Sequence, residues 1–195
     1  MVSKLQDERF NLVFVTLSDK DGANYDSNKK QDFFSRTDRA LNDLVPWRDE
    51  IPLKVFSSRV RFQIRIDDLR ESVDTGNAKI DDILDFYNSV TDALLTLYTK
   101  EVRVIKGSKT WKTVVVYKNI LRAIDNIGIN AAYVIKYYLK GALPDDEMIQ
   151  YLKSQVLSQE YLTQASNFSP FVRGKVMAIK TDVNYKKLFE MYDFY

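Results

Sequence analysis

With 195 residues, 45% of them hydrophobic and 13% aromatic, the chain has enough apolar material to bury a core as a single domain, and its composition argues against disorder. Its 29 basic and 27 acidic residues leave a net charge of +2 with the two signs interspersed, so no basic face is laid out for a phosphate backbone and nucleic acid is not expected as a partner. Cysteine and histidine are both absent, which removes thiol nucleophiles, Ser-His-Asp triads, imidazole bases and the usual metal ligands; we expect no enzyme, no catalytic residue, no metal and no cofactor.

The apolar runs are short, as in Val114-Val115-Val116-Tyr117, and fall far below the roughly 20 residues that cross a bilayer. No charged-apolar-small leader is legible after Met1, so neither a signal peptide nor a membrane anchor is expected within the chain. Glycine and proline are few, and between them apolar residues recur at spacings of three and four, which predicts an all-α fold. Helix 1 is expected at about 3–18, followed by the polar loop Ser18 to Asn28 and helix 2 at about 31–47. Helix 3 is expected at about 52–73, stopped by Asp74-Thr75-Gly76, with Asn77 as N-cap of helix 4 at about 78–105. Within helix 3, Phe62-Gln63-Ile64-Arg65-Ile66 alternates like a strand, but Val55, Arg59, Phe62, Ile66, Leu69 and Val73 keep helical spacing across it and a lone strand would have no partner, so helix is preferred.

Lys106-Gly107-Ser108 breaks the chain before helix 5, at about 109–139. There Val114, Tyr117, Leu121, Ile124, Gly128, Ala131, Ile135 and Tyr138 form a stripe that predicts a long helix with this face inward. Lys140 to Pro144 ends it, helix 6 follows at about 144–167, and Ser169-Pro170 opens a last helical stretch at about 170–195. The whole of 1–195 reads as one domain. The tyrosines of helices 4 and 5, among them Tyr87, Tyr98, Tyr117 and Tyr138, recur at core spacing, and packing is their default role.

Leu5-Gln6-Asp7-Glu8-Arg9 in helix 1 and Arg36-Thr37-Asp38-Arg39-Ala40-Leu41 in helix 2 resemble the Leu-Gln-x-Glu-Arg and Thr-Asp-x-x-Leu elements of nitrate- and nitrite-sensing (NIT) domains. The order continues with Phe62-Gln63 and Asp68-Leu69-Arg70, then Asp85-Phe86-Tyr87 and Leu97-Tyr98, then Trp111-Lys112 and Tyr117. The pattern is most similar to the NIT domains found between membrane helices in animal receptor guanylate cyclases, and it spans roughly Leu5 to Phe171. The resemblance implies two associated antiparallel helical bundles and a site for nitrate or nitrite. It further implies an output domain elsewhere in the receptor, an extracellular or periplasmic location, and a homodimer in the parent receptor. One element departs: where the family has Lys-Glu-x-x-Gly-x-Glu-Arg-Ala, this chain reads Ile124-Asp125-Asn126-Ile127-Gly128-Ile129-Asn130-Ala131-Ala132. The acid and the glycine persist as Asp125 and Gly128, but Ala131 stands in place of an arginine, and Phe10 replaces the glycine that follows the helix 1 arginine.

Nitrate is a planar, weakly hydrated anion, and a site for it calls for guanidinium forks in a dry pocket. Arg9 lies on the Leu5–Leu12 stripe and is the first candidate; its alternatives are a structural pair with an acid such as Asp38, or a side chain reaching back to water. Thr37 could donate to an oxyanion or bond its own backbone, and Asp38 could orient an arginine or serve only a structural ion pair. Arg59 and Arg36 are the remaining candidate donors. Gly128 and Ala131 form a small-residue notch that serves either a ligand or close helix packing. Two functions remain open: a ligand-sensing module, or a structural and dimerisation module that has lost its ligand or senses a different small molecule.

Overall fold

Seven α-helices account for nearly all of the described chain, and no strand occurs among the described residues of the computed structural model, which are 1–18, 27–44, 47, 54–104 and 108–182. They are α1 (Val2–Ser18), α2 (Ser27–Asn42), α3 (Arg59–Asp74), α4 (Ile80–Val104), α5 (Ser108–Lys140), α6 (Asp145–Phe168) and α7 (Pro170–Thr181). The all-α expectation holds, and the alternating segment 62–66 is helical. Helix α2 takes in Ser27 and Asn28 of the expected loop and ends at Asn42, short of the expected 47; residues 19–26 of that loop, the Lys106-Gly107 break and the helical reading of 183–195 lie outside the described residues.

Local chemistry fixes the helix ends. Helix α3 begins seven residues later than its pattern suggested, because residues 54–57 form a short 3-10 turn and the Ser58 hydroxyl caps Arg61 N–H at 3.1 Å. It ends where Gly76 takes φ 70°, a backbone region that favours glycine. Asn77 does not cap α4 as expected; its side chain donates to the Thr75 hydroxyl, and its backbone N–H closes onto Ser72 O, so it belongs to the α3 terminus. Gly141, at φ 76°, ends α5 in the same way as Gly76. Ser169 caps α7 through Val172 N–H, with Pro170 at the first helical position.

The core lies between α1, α2, α3 and α4. Leu5, Leu12, Phe62, Ile66, Ile83, Tyr87 and Val90 are essentially sealed from solvent there. Trp47, Phe56, Phe62, Phe86 and Tyr87 form a chain of ring contacts at one end, with neighbouring centroids 5.0–6.0 Å apart. Helix α1 packs on α2, α3, α4 and α5, and α4 also packs on α5. This is the first bundle. Beside it, α6 lies antiparallel along α5 and α7 packs on α6.

The face assignment of α5 needs correcting. Of the expected inward stripe, Leu121 is buried, but Tyr117, Ile124 and Tyr138 are 45–55% exposed. Buried in their place are Asn119, Asp125, Asn126, Ala132 and Lys136. The reason is that α5 is held on two sides by polar seams. One meets α1 and α4 through Asp125 and Lys136. The other meets α6 through Asn119 to Gln164 and Asn130 to Tyr151 O. The burial of Ser154, Ser158 and Ala165 on α6, with Ile149 and Val156 more than 60% exposed, shows the same inversion. Apolar periodicity reads the inward face only where that face is the apolar one.

Candidate functional site

Arg9 is the largest fully buried side chain, 1% exposed at the meeting of α1, α4 and α5. Its position follows from α1: Leu5, Leu12 and Val13 are buried within a turn on either side, so residue 9 must enter the interior with them. Its Nη1 donates to Asp125 Oδ1 at 2.8 Å and to Asn88 Oδ1 at 2.6 Å, and Nη2 donates to the Asp125 carbonyl at 3.0 Å. Gln6, one turn earlier, donates to the same Asp125 oxygen and to Leu121 O, each at 3.3 Å. Arg9 Nε and Gln6 Oε1 are buried with no hydrogen-bond partner. Burial pushes the Arg9 guanidinium below its ordinary value, and Asp125 offsets this only in part. The group remains cationic and seeks acceptors.

Gly128 makes the site possible. A Cβ there would stand 2.6 Å from Arg9 Nη2, so the notch seen in the sequence is filled by the guanidinium itself.

A second arginine lies beside the first. Arg70 of α3 forms a fork on Glu8, Nε to Oε1 at 2.8 Å and Nη2 to Oε2 at 3.1 Å, and its Nη1 reaches Asp38 at 2.9 Å and Asp67 at 3.2 Å. Glu8 is fully buried and also accepts from Tyr87 Oη at 2.7 Å. Burial works against the charge on Arg70, but the bonds and charges of Glu8 and Asp38 outweigh it and raise the guanidinium above its ordinary value. Burial together with Glu8 pushes Tyr87 well above the usual phenol range.

The expected site residues do not converge. Asp38 pairs with Arg70, not Arg9. Thr37 is buried and donates to Lys4 O at 3.4 Å. Arg59 donates to the carbonyls of Leu41, Asn42 and Leu44 and sits over the Trp47 ring, serving the end of α2. Arg36 is half exposed and pairs with Asp32 one turn away. Only Arg9 of the four candidate donors sits in a buried polar cluster shared by three helices.

The residues not anticipated as partners are Gln6, Asn88, Arg70 and Lys136. Lys136 is 2% exposed and bridges Asp81 of α4 and Glu147 of α6. A signal for it existed: residues 125, 132 and 136 fall on one face of α5 by helical spacing, so a buried acid at 125 implies a buried residue at 136.

An all-α bundle whose interior carries two deep guanidinium clusters defines a helical domain built around buried polar groups. The sequence matches the family described as nitrate and nitrite sensing over residues 1–182. The chain belongs to the NIT family. Neither a curated protein nor a solved structure matches it. Among the described residues there is no group of acids that could hold a metal, and no helix is long and apolar enough to cross a membrane.

Proposed function

We propose that this chain is the input domain of a signalling receptor, that it holds nitrate or nitrite at Arg9, and that it passes a helix shift to an output domain. The supporting observation is the buried Arg9 with its Nε unpartnered, where α1, α4 and α5 meet. A guanidinium in a dry interior is the donor that a planar, weakly hydrated oxyanion fits best. Anion binding acts through its different affinity for two arrangements of these helices. Calorimetric titration with sodium nitrate and sodium nitrite tests the reading: wild type gives heat and a higher melting temperature, and Arg9→Ala gives neither. An equal melting shift in the variant removes Arg9 from the site.

The parent protein in this reading resembles an animal receptor guanylate cyclase, with the domain on the extracellular or periplasmic side. Membrane spans flanking it in the gene, with a cyclase domain downstream, would bear this out; their absence from the gene would refute it. The domain pairs with a second copy. The apolar stripe Tyr117, Ile124, Ile127 and Tyr138 favours this, being 45–55% exposed on a face of α5 without a charged residue. Ile124→Glu is expected to give a folded monomer in sedimentation, and a dimer that survives the change would place the contact elsewhere.

The second reading, a pairing module without a ligand, is favoured by Ala131 in place of the family's arginine. No heat and no melting shift at millimolar nitrate would select it.

A further inference from the structure

The Arg9 cluster already holds an anion, and that anion is part of the protein. Asp125 places a carboxylate oxygen 2.8 Å from Nη1 and its own carbonyl 3.0 Å from Nη2, so the end of the guanidinium fork is capped by one residue. Asn88 takes the remaining Nη1 direction at 2.6 Å. What is left is the second Nη2 hydrogen and Nε, the latter buried and without an acceptor. A free oxyanion and the Asp125 carboxylate therefore want the same donor. Both are planar, singly charged and oxygen-edged.

We propose that Asp125 is a tethered competitor that determines the affinity and the threshold of the Arg9 site, and that an external oxyanion acts by exchanging with it. The inference rests on the assignment of Arg9 as the anion-binding residue. The incoming anion meets Nε first and then takes the Nη contacts from Asp125. Once released, the carboxylate cannot stay where it is: the residue is 5% exposed, and its other donor, Gln6 Nε2, lies at a long 3.3 Å. A buried carboxylate without its guanidinium is costly enough that its backbone must carry it toward water. Because Asp125 also contributes its carbonyl, exchange loosens both α1–α5 bonds from Arg9 at once. Exchange thus converts anion occupancy into movement of α5 against α1, and the strength of the internal pair sets the concentration at which this happens.

Gly128 supports the same arrangement. With 2.6 Å between a Cβ there and Arg9 Nη2, the guanidinium has been brought against the α5 backbone as closely as the chain permits, one turn beyond Asp125. The Arg70 cluster offers no such exchange, since three carboxylates and the Phe34 carbonyl hold its donors and Glu8 takes two of them as a fork.

The test is nitrate titration of wild type and Asp125→Asn by calorimetry and by melting in nitrate against chloride. Asp125→Asn keeps the shape and removes the competing charge, and it should bind nitrate at least tenfold more tightly. If wild type binds nitrate and Asp125→Asn binds it equally or more weakly, Asp125 is no competitor while the Arg9 assignment stands. If neither binds, the Arg9 assignment itself fails. Should Asp125→Asn not fold, wild type still decides the matter. The chain has no cysteine, so spin labels at Asp7→Cys and at the exposed Lys112→Cys of α5 report the α1–α5 separation. Saturating nitrate should change that distance, and nitrate binding with an unchanged distance overturns the exchange.

Discussion

Arg9 of α1 and Arg70 of α3 are both buried in the interior, and they are satisfied in opposite ways. Arg70 is held by Glu8, Asp38 and Asp67, with a fork on a fully buried carboxylate that Tyr87 also steadies. Arg9 is held by one carboxylate, one carbonyl and one side-chain amide, and its Nε has no partner. The first is a closed network of the kind that fixes how helices meet; the second is an open one that can accept a further oxygen. Burial alone does not separate the two; Arg9 differs in having a donor left over where three helices meet.

The largest effect should come from breaking the closed cluster. Arg70→Ala strands a fully buried Glu8 carboxylate and should cost about 3–5 kcal/mol in urea unfolding, while nitrate still raises the melting temperature of whatever folds. Loss of the nitrate shift in Arg70→Ala would mean that the two clusters act as one site. A smaller effect is expected from Gly128→Ala. Its new methyl collides with Arg9 Nη2, held in place by Asp125, and the strain outweighs the gain in helix propensity to leave a net loss of about 1–2 kcal/mol. The same variant should lose its nitrate response as Arg9→Ala does. A retained response would show that Arg9 can move aside and still bind.

The smallest effect, in Tyr87→Phe, is a change of slope in alkali, on top of whatever the lost bond to Glu8 costs at neutral pH. Tyr87 is raised above its ordinary value of 10.0, so the folded protein keeps its phenol protonated where the unfolded chain releases the proton. Its contribution is complete below pH 10 and is lost as pH rises beyond it. Tyr87→Phe should therefore flatten the alkaline fall in stability measured by urea unfolding between about pH 9 and 11; an unchanged slope would place that titration elsewhere, for instance at Tyr133, which burial and the nearby Asp81 push up to about 12.

The helices were legible because their punctuation is local. Gly76, Gly141 and Ser169-Pro170 end or begin elements by the conformations they favour, and no tertiary contact is needed to read them. The start of α3 was missed because the 3-10 turn at Lys54–Ser57 continues the apolar spacing of the helix behind it, so periodicity alone runs through the Ser58 cap. Arg9 was readable from Leu5 and Leu12 beside it. Arg59 was not, since its position on the α3 stripe looks the same whether the side chain meets a ligand or caps the carbonyls of α2. For Asp38 an ion pair was legible but its partner was not, because spacing along α2 gives its face but not which of two buried cations lies opposite. The burial of Asn119 and Asn126 could not be foreseen from a rule that places polar residues outside.

The seam between α5 and α6 has one more consequence. Its side-chain hydrogen bonds, Asn119 to Gln164 and Asn130 to Tyr151 O, lie over the small residues Ser154, Ser158 and Ala165, and water can replace these bonds at little cost. The α1–α4 core has no such substitute, because its apolar contacts and its buried Glu8–Arg70 pair are both costly to open. The molecule therefore has a graded order of opening: amide hydrogens of α6 and α7 should exchange before those of α1 and α4, with the Lys136 bridge to Asp81 and Glu147 as the last tie to part.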